Sequence, residues 1–228
     1  MKKLLSIALV FLLFSFSKNQ KPKFAVRFKT PKILKQSWND FDRTFIPKKG
    51  ETIADVGAQE PSLAFYLLGK YDSITVVTQD IDTSFISDYK INVIKNLYGK
   101  YDKKYLTMKI PFVLGNKNST NLSKNYFDAI LLTRVYHEFS FKSATINDLS
   151  ACLKKNGKLY VTEDIATEKG IKRTDCENDY VLEEDLVRDF IAGNFLFEEE
   201  NELSTTTDFL GKGNKIETKQ VVFIFKKK

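Results

Sequence analysis

From Thr52 onward the chain alternates short apolar runs with longer amphipathic ones, and this alternation limits the fold more than any other feature. Residues 52–56, 73–78, 110–114, 127–133 and 158–162 are short and rich in aliphatic or β-branched side chains, as buried strands are. Residues 62–69, 81–97 and 143–153 between them read as helices. Pro61 suits a first helical turn. Ser143 can cap the third helix, and Asn156–Gly157 can stop it. Leu182, Leu186, Phe190 and Ile191 mark a further helix, ended by Gly193. Strands separated by helices predict an α/β chain with a doubly wound, mostly parallel sheet and helices on both faces. Residues 195–199 and 221–225 follow without a helix between them, which predicts a C-terminal antiparallel edge hairpin.

A chain of 228 residues with 43% hydrophobic content suits one such domain, here residues 31–228. It opens with a leading amphipathic helix carrying Ile33, Leu34, Trp38, Phe41 and Phe45. Residues 1–17, MKKLLSIALVFLLFSFS, lie outside the domain. Two lysines, an apolar stretch over residues 4–16 and the small residues Ser15 and Ser17 have the layout of a secretory signal peptide. The stretch is short for a membrane span, which needs roughly 20 residues. Residues 18–30 form a basic linker, and Lys18, Lys21, Lys23, Arg27 and Lys29 favour an anchor with the domain kept inside the cell. Two locations therefore stay open: export to the periplasm or medium, and an inner-membrane anchor through residues 4–16 with a cytoplasmic domain.

The formal charge of +7 rests mostly on lysine and reads as a solvated surface. Aromatic residues do not interleave with basic ones as they do in single-strand binders, so a nucleic-acid partner is not expected. Cys152 and Cys176 lack metal-ligand spacing and His137 is the single histidine, so no metal site is expected. Cys152 falls on a helical apolar pattern and reads as a buried thiol.

Sheets of this kind bind ligands beyond the C-terminal ends of their strands. That rule selects residues 57–61, 80–82, 116–119 and 133–138. Gly57 allows a tight turn and a close backbone approach. Asp80 stands roughly twenty positions further on, where a carboxylate can accept the protons of a ribose hydroxyl pair. Alternatively, Asp80 and Asp82 cap the next helix. Glu60 puts a negative charge at the helix N-terminus and Pro61 removes a donor there, so both oppose a dinucleotide pyrophosphate and hence a nicotinamide oxidoreductase. His137 is a candidate general base at a strand end, or else part of a helix-start pair that shapes the wall. Arg134 is a candidate contact for an acidic acceptor, or an exposed salt-bridge partner.

The successive runs IPKKGETIADVGA, VVTQDID, FDAILLTRVYHEF and LKKNGKLYVTED resemble, in order, the motifs of class I S-adenosylmethionine (SAM)-dependent methyltransferases, over residues 47–164. The resemblance implies a Rossmann-like fold with SAM as cofactor. It places Asp55, Gly57, Ala58 and Gln59 in the first SAM-binding motif and Asp80 with Ile81 at the ribose. It puts Asn118 near the adenine and Thr133 in the pocket wall. It implies methyl transfer to an unidentified acceptor, small molecule or protein, with His137 and Tyr136 as catalytic candidates. Gln59 and Pro61 replace two glycines of the family's first motif, and Asn116 stands where an aspartate is common. A non-catalytic Rossmann-like module that has lost productive SAM binding is therefore the alternative. Residues 31–46 and 166–181 are the expected builders of an acceptor site.

Overall fold

The computed structural model describes residues 41–84, 86–173, 175–210 and 214–228, together with Lys32 and Trp38. The signal-like segment, the basic linker and most of the leading helix lie outside the described residues. Among the described residues no helix is long and apolar enough to cross a membrane.

The elements in chain order are β1 (Thr52–Val56), α1 (Ser62–Lys70), β2 (Thr75–Asp80), α2 (Asp88–Tyr98), α3 (Lys104–Thr107) and β3 (Phe112–Leu114). Then come β4 (Phe127–Thr133), a 3-10 turn (Tyr136–Glu138), α4 (Lys142–Cys152), β5 (Leu153–Ala166), α5 (Glu183–Ala192), β6 (Phe195–Leu210) and β7 (Asn214–Lys227). One seven-stranded sheet runs β3-β2-β1-β4-β5-β7-β6. β3 to β5 are mutually parallel, and β7 and β6 close the far side antiparallel. The doubly wound sheet and its antiparallel edge are thus both present. The chain winds outward from β1 to β3 and returns to β4 on the other side of β1. That reversal opens a crevice at the C-terminal ends of β1 and β4.

Both faces of the sheet are covered, which explains why its central strands read as continuous apolar runs. On one face Ile146 and Leu149 of α4 and Leu186 and Phe190 of α5 pack on Ile130, Leu132, Phe223 and Phe225. On the other, Leu63 and Leu67 of α1 and Ile91 and Ile94 of α2 pack on Ile53, Val76, Leu131 and Ile224. Phe41 and Phe45 join this second cluster, so the end of the leading segment belongs to the domain core.

Several boundaries differ from the sequence expectation. β6 and β7 reach well beyond residues 195–199 and 221–225, because an edge ribbon solvated on one side carries glutamates and threonines that hide its pattern. α2 begins at Asp88 rather than at residue 81, with Ser87 accepting from the Lys90 N–H. Ser143 caps nothing: α4 starts one residue earlier, after Phe141, with no side-chain cap. The helix also stops before Asn156, which instead takes a left-handed φ of 67° inside β5. There the β4–β5 register shifts between the Phe127 and Ala129 pairings. Cys152 is buried as expected, and both cysteines are free thiols.

Candidate functional site

β1 ends at Asp55-Val56, and Gly57 turns the chain with φ 68°. A side chain at this position would meet Val135, whose Cγ2 would lie 2.3 Å from the added carbon. The glycine therefore admits the segment that follows β4. The N–H groups of Gly57 and Ala58 both donate to the Gln79 carbonyl, at 2.9 and 3.0 Å, and stitch the loop to the end of β2. Gln59 holds φ 40°, and its N–H donates to Asp80 Oδ2 at 2.8 Å. Asp80 Oδ1 accepts from the N–H groups of Ile81 (2.7 Å) and Asp82 (3.0 Å). Asp80 caps no helix; it braces two loops. A carboxylate has about four acceptor positions, so three bonds leave Asp80 room for one ligand hydroxyl.

A cavity of about 240 Å³ opens at this point. Gly57, Gln59, Asp80 and Ile81, four of the candidate cofactor contacts, line it. Asn116, Lys117 and Thr120 contribute from the loop after β3, Val135, Glu138 and Phe139 from the segment after β4, and Thr145 from α4. The other expected residues stand elsewhere. Ala58 packs toward the α1 face of the core. Asn118 is exposed, with its N–H held by Asn116 Oδ1, and Asn116 and Lys117 take the wall position instead. Tyr136 does not line the methyl or acceptor side. It is fully buried against Phe190, and its hydroxyl donates to Asp189 at 2.7 Å. His137 lies behind the wall, whereas its neighbour Glu138 faces the cavity.

The cavity has an acidic lining. Asp80, Asp82 and Glu138 stand against one ammonium, Lys117. Beneath the loop lies Asp55, 2% exposed, with Oδ2 lacking a partner. Burial, and next the charge of Asp80, push its carboxyl up to about 7. The Thr133 and Thr162 hydroxyls are likewise buried without partners. Asp55, Thr133 and Thr162 sit near the C-terminal ends of β1, β4 and β5, which are neighbours in the sheet. Unsatisfied buried polar groups are rare, and a ligand is one way to satisfy them. An acid-lined pocket with a free carboxylate position and no cluster of cationic side chains fits a nucleoside carrying positive charge. SAM, with its sulfonium and ammonium, is such a molecule; a pyrophosphate is not.

A second polar group lies behind the same wall. Glu163, at 0% exposure near the end of β5, accepts from the N–H of His137 and has His137 Nδ1 at 3.0 Å from both its oxygens. Arg173, 5% exposed, reaches Glu163 (3.3 Å), Asp164 (2.9 Å) and Asp175 (2.9 Å). Desolvation opposes the Arg173 charge, but these three carboxylates outweigh it and raise its pKa. The Arg173 hydrogen bond, against some desolvation, pulls Asp175 down to about 2. Arg134 donates to Asp164 and Asp175, both at 2.8 Å, so it reads as the salt-bridge partner of its two alternatives. The sequence reading placed Glu138 at the wall beside His137 without a role of its own, and it missed Glu163 and Arg173. Glu163 looked like solvated surface, and only its place near a strand end hinted otherwise.

Residues 54–161 match a family model described as a methyltransferase domain. No curated protein matches the chain. Among solved structures, a SAM-dependent methyltransferase from Methanosarcina mazei aligns at 16% identity and TM-score 0.58, over 82% of this chain and 96% of that one. A SAM-dependent methyltransferase from Aquifex aeolicus aligns at 15% identity and TM-score 0.55, over 86% and 99%. The (4+2)-cyclase SpnF aligns at 14% identity and TM-score 0.59, over 86% and 81%. At these identities the likeness fixes the fold, and the cyclase shows that the fold also carries other chemistry. Domain match and fold agree with the class I resemblance read from the sequence.

Proposed function

We propose that this chain, whose residues 54–161 match a methyltransferase-domain model, moves a methyl group from SAM to a nucleophilic atom of an unidentified acceptor, small molecule or protein. The observation that carries the reading is the acid-lined cavity at the ends of β1 and β2, with Asp80 at its wall. When bound, SAM supplies a methyl group activated by the sulfonium. Asp80 accepts a ribose hydroxyl through its remaining acceptor position. Asp55, Asp82 and Glu138 provide the negative field that favours the cationic tail. The chain's task is then chiefly positioning, since a displacement at an activated carbon gains most from holding the two reactants in line. A donor made in the cytosol favours the anchored arrangement of residues 1–17 over export.

Three features support a second reading, a module without productive SAM binding. Val135 fills the face of Gly57, the Gln59 N–H occupies Asp80, and the cavity lies below the roughly 300–1,000 Å³ of most ligand pockets. Calorimetry on an Asp80→Ala variant separates the two. Loss of one charge-assisted hydrogen bond is expected to weaken SAM binding about 10- to 100-fold. Equal affinity in wild type and variant would remove Asp80 from the site. A wild-type protein that binds no SAM would leave the second reading.

A further inference from the structure

Glu138 links the polar group behind the wall to the cavity. It lines the wall with its side chain 43% exposed, and its Oε1 lies 3.8 Å from His137 Nε2. His137 is 5% exposed in its side chain, and its other ring nitrogen faces both oxygens of Glu163. Glu163 is fully buried, and the guanidinium of Arg173 reaches its Oε1 at 3.3 Å from a separate segment. A carboxylate paired with a guanidinium accepts, so this geometry favours the tautomer with Nδ1 as donor and Nε2 as acceptor. The free lone pair of the single histidine therefore points toward the side on which Glu138 meets the cavity. Four residues from three distant segments, 137–138, 163 and 173, converge on this line. The charged groups that face it are Glu138 on its own turn, Glu163 from β5, and Arg173, which Asp164 and Asp175 hold in place.

We propose that Glu138 is the catalytic base of the methyl transfer, with His137 behind it as proton relay and Glu163 and Arg173 as positioning residues. The proposal rests on the SAM reading above and adds the class of acceptor: one whose nucleophile carries a proton, such as an amine, phenol or thiol. The acceptor heteroatom bonds to the methyl carbon as the carbon–sulfur bond breaks, with the electron pair leaving on sulfur. The acceptor's proton passes to Glu138, and onward to His137 Nε2 once the 3.8 Å between them closes to hydrogen-bond distance. Acidic walls at Asp82 and Glu138 favour a cationic or neutral acceptor over an anionic one.

Because His137 is the only histidine, ¹⁵N-histidine spectra of the full chain report it without assignment. The neutral ring is expected to carry its proton on Nδ1. Glu163→Gln, which can donate its amide to Nδ1, should shift the proton to Nε2 while the fold persists. A wild-type ring protonated on Nε2 would overturn the relay, whether or not SAM binds. SAM binding is measured separately by calorimetry, so failure of the cofactor reading remains distinct from failure of the relay. The second arm measures release of S-adenosylhomocysteine from SAM with a panel of amines, phenols, thiols and thioethers. Turnover is expected with a protic member only. At saturating SAM, Glu138→Gln should lower kcat about 10²- to 10⁴-fold, and Glu163→Gln should lower kcat with a displaced pH profile. Undiminished kcat in Glu138→Gln, or turnover of the thioethers alone, would overturn the proposal.

Discussion

Two strand ends of this sheet each bury a carboxylate, and they treat it in opposite ways. Glu163, near the end of β5, is surrounded by donors: Arg173, the His137 ring, and the N–H groups of His137 and Asp164. Asp55, near the end of β1, faces another carboxylate, has one oxygen without a partner, and is pushed up to about 7. The first arrangement is complete within the chain. The second lacks a counterpart that a cation could provide. The difference separates a strand end that shapes a wall from one arranged for a ligand.

The largest expected effect falls on the complete end. Arg173→Met leaves Glu163 buried without its cationic partner and should destabilise the fold by about 3–5 kcal/mol in urea unfolding. A loss below about 1 kcal/mol would mean that the Arg173–Glu163 pair does not hold this strand end together. The incomplete end should respond with the opposite sign. An acid whose folded pKa exceeds its unfolded value of 3.8 gives its most favourable contribution below that value. Stability then declines as pH rises through about 7. Asp55→Asn should therefore stabilise the protein by about 2–4 kcal/mol at pH 8, by little at pH 4, and weaken SAM binding. Stabilisation that did not depend on pH would remove the contrast between the two ends. Tyr136→Phe should cost about 1 kcal/mol through the lost bond to Asp189 and leave SAM affinity within twofold. The smallest effect belongs to Asn118→Ala, within about 0.5 kcal/mol and with unchanged binding. A large loss there would return Asn118 to the wall.

The contrast between the strand ends was only half legible in the sequence. The alternation from Thr52 to Thr162 carried the fold, because buried parallel strands must be apolar on both faces. Gly57 and Asp80 were legible because their offset follows from the geometry of a strand–turn–helix unit. The rest depended on directions that spacing cannot supply. Tyr136, His137 and Glu138 share one 3-10 turn, yet one points into the core, one into the polar cluster and one into the cavity. Arg173 lay in a polar stretch whose partners are set by tertiary approach. How the loop turns without two of the family's glycines was likewise not legible: Gln59 reaches a left-handed φ without glycine, with its N–H tied to Asp80. The edge hairpin was legible, but the full length of β6 and β7 was not, because solvated edge strands lose apolar contrast.

The most direct test is calorimetric titration of the full chain at neutral pH with SAM and, in parallel, NAD. An acid-lined cavity with an unpartnered carboxyl beneath it predicts SAM binding of micromolar order and no measurable NAD binding. Absence of SAM binding, or NAD bound as tightly as SAM, would contradict it.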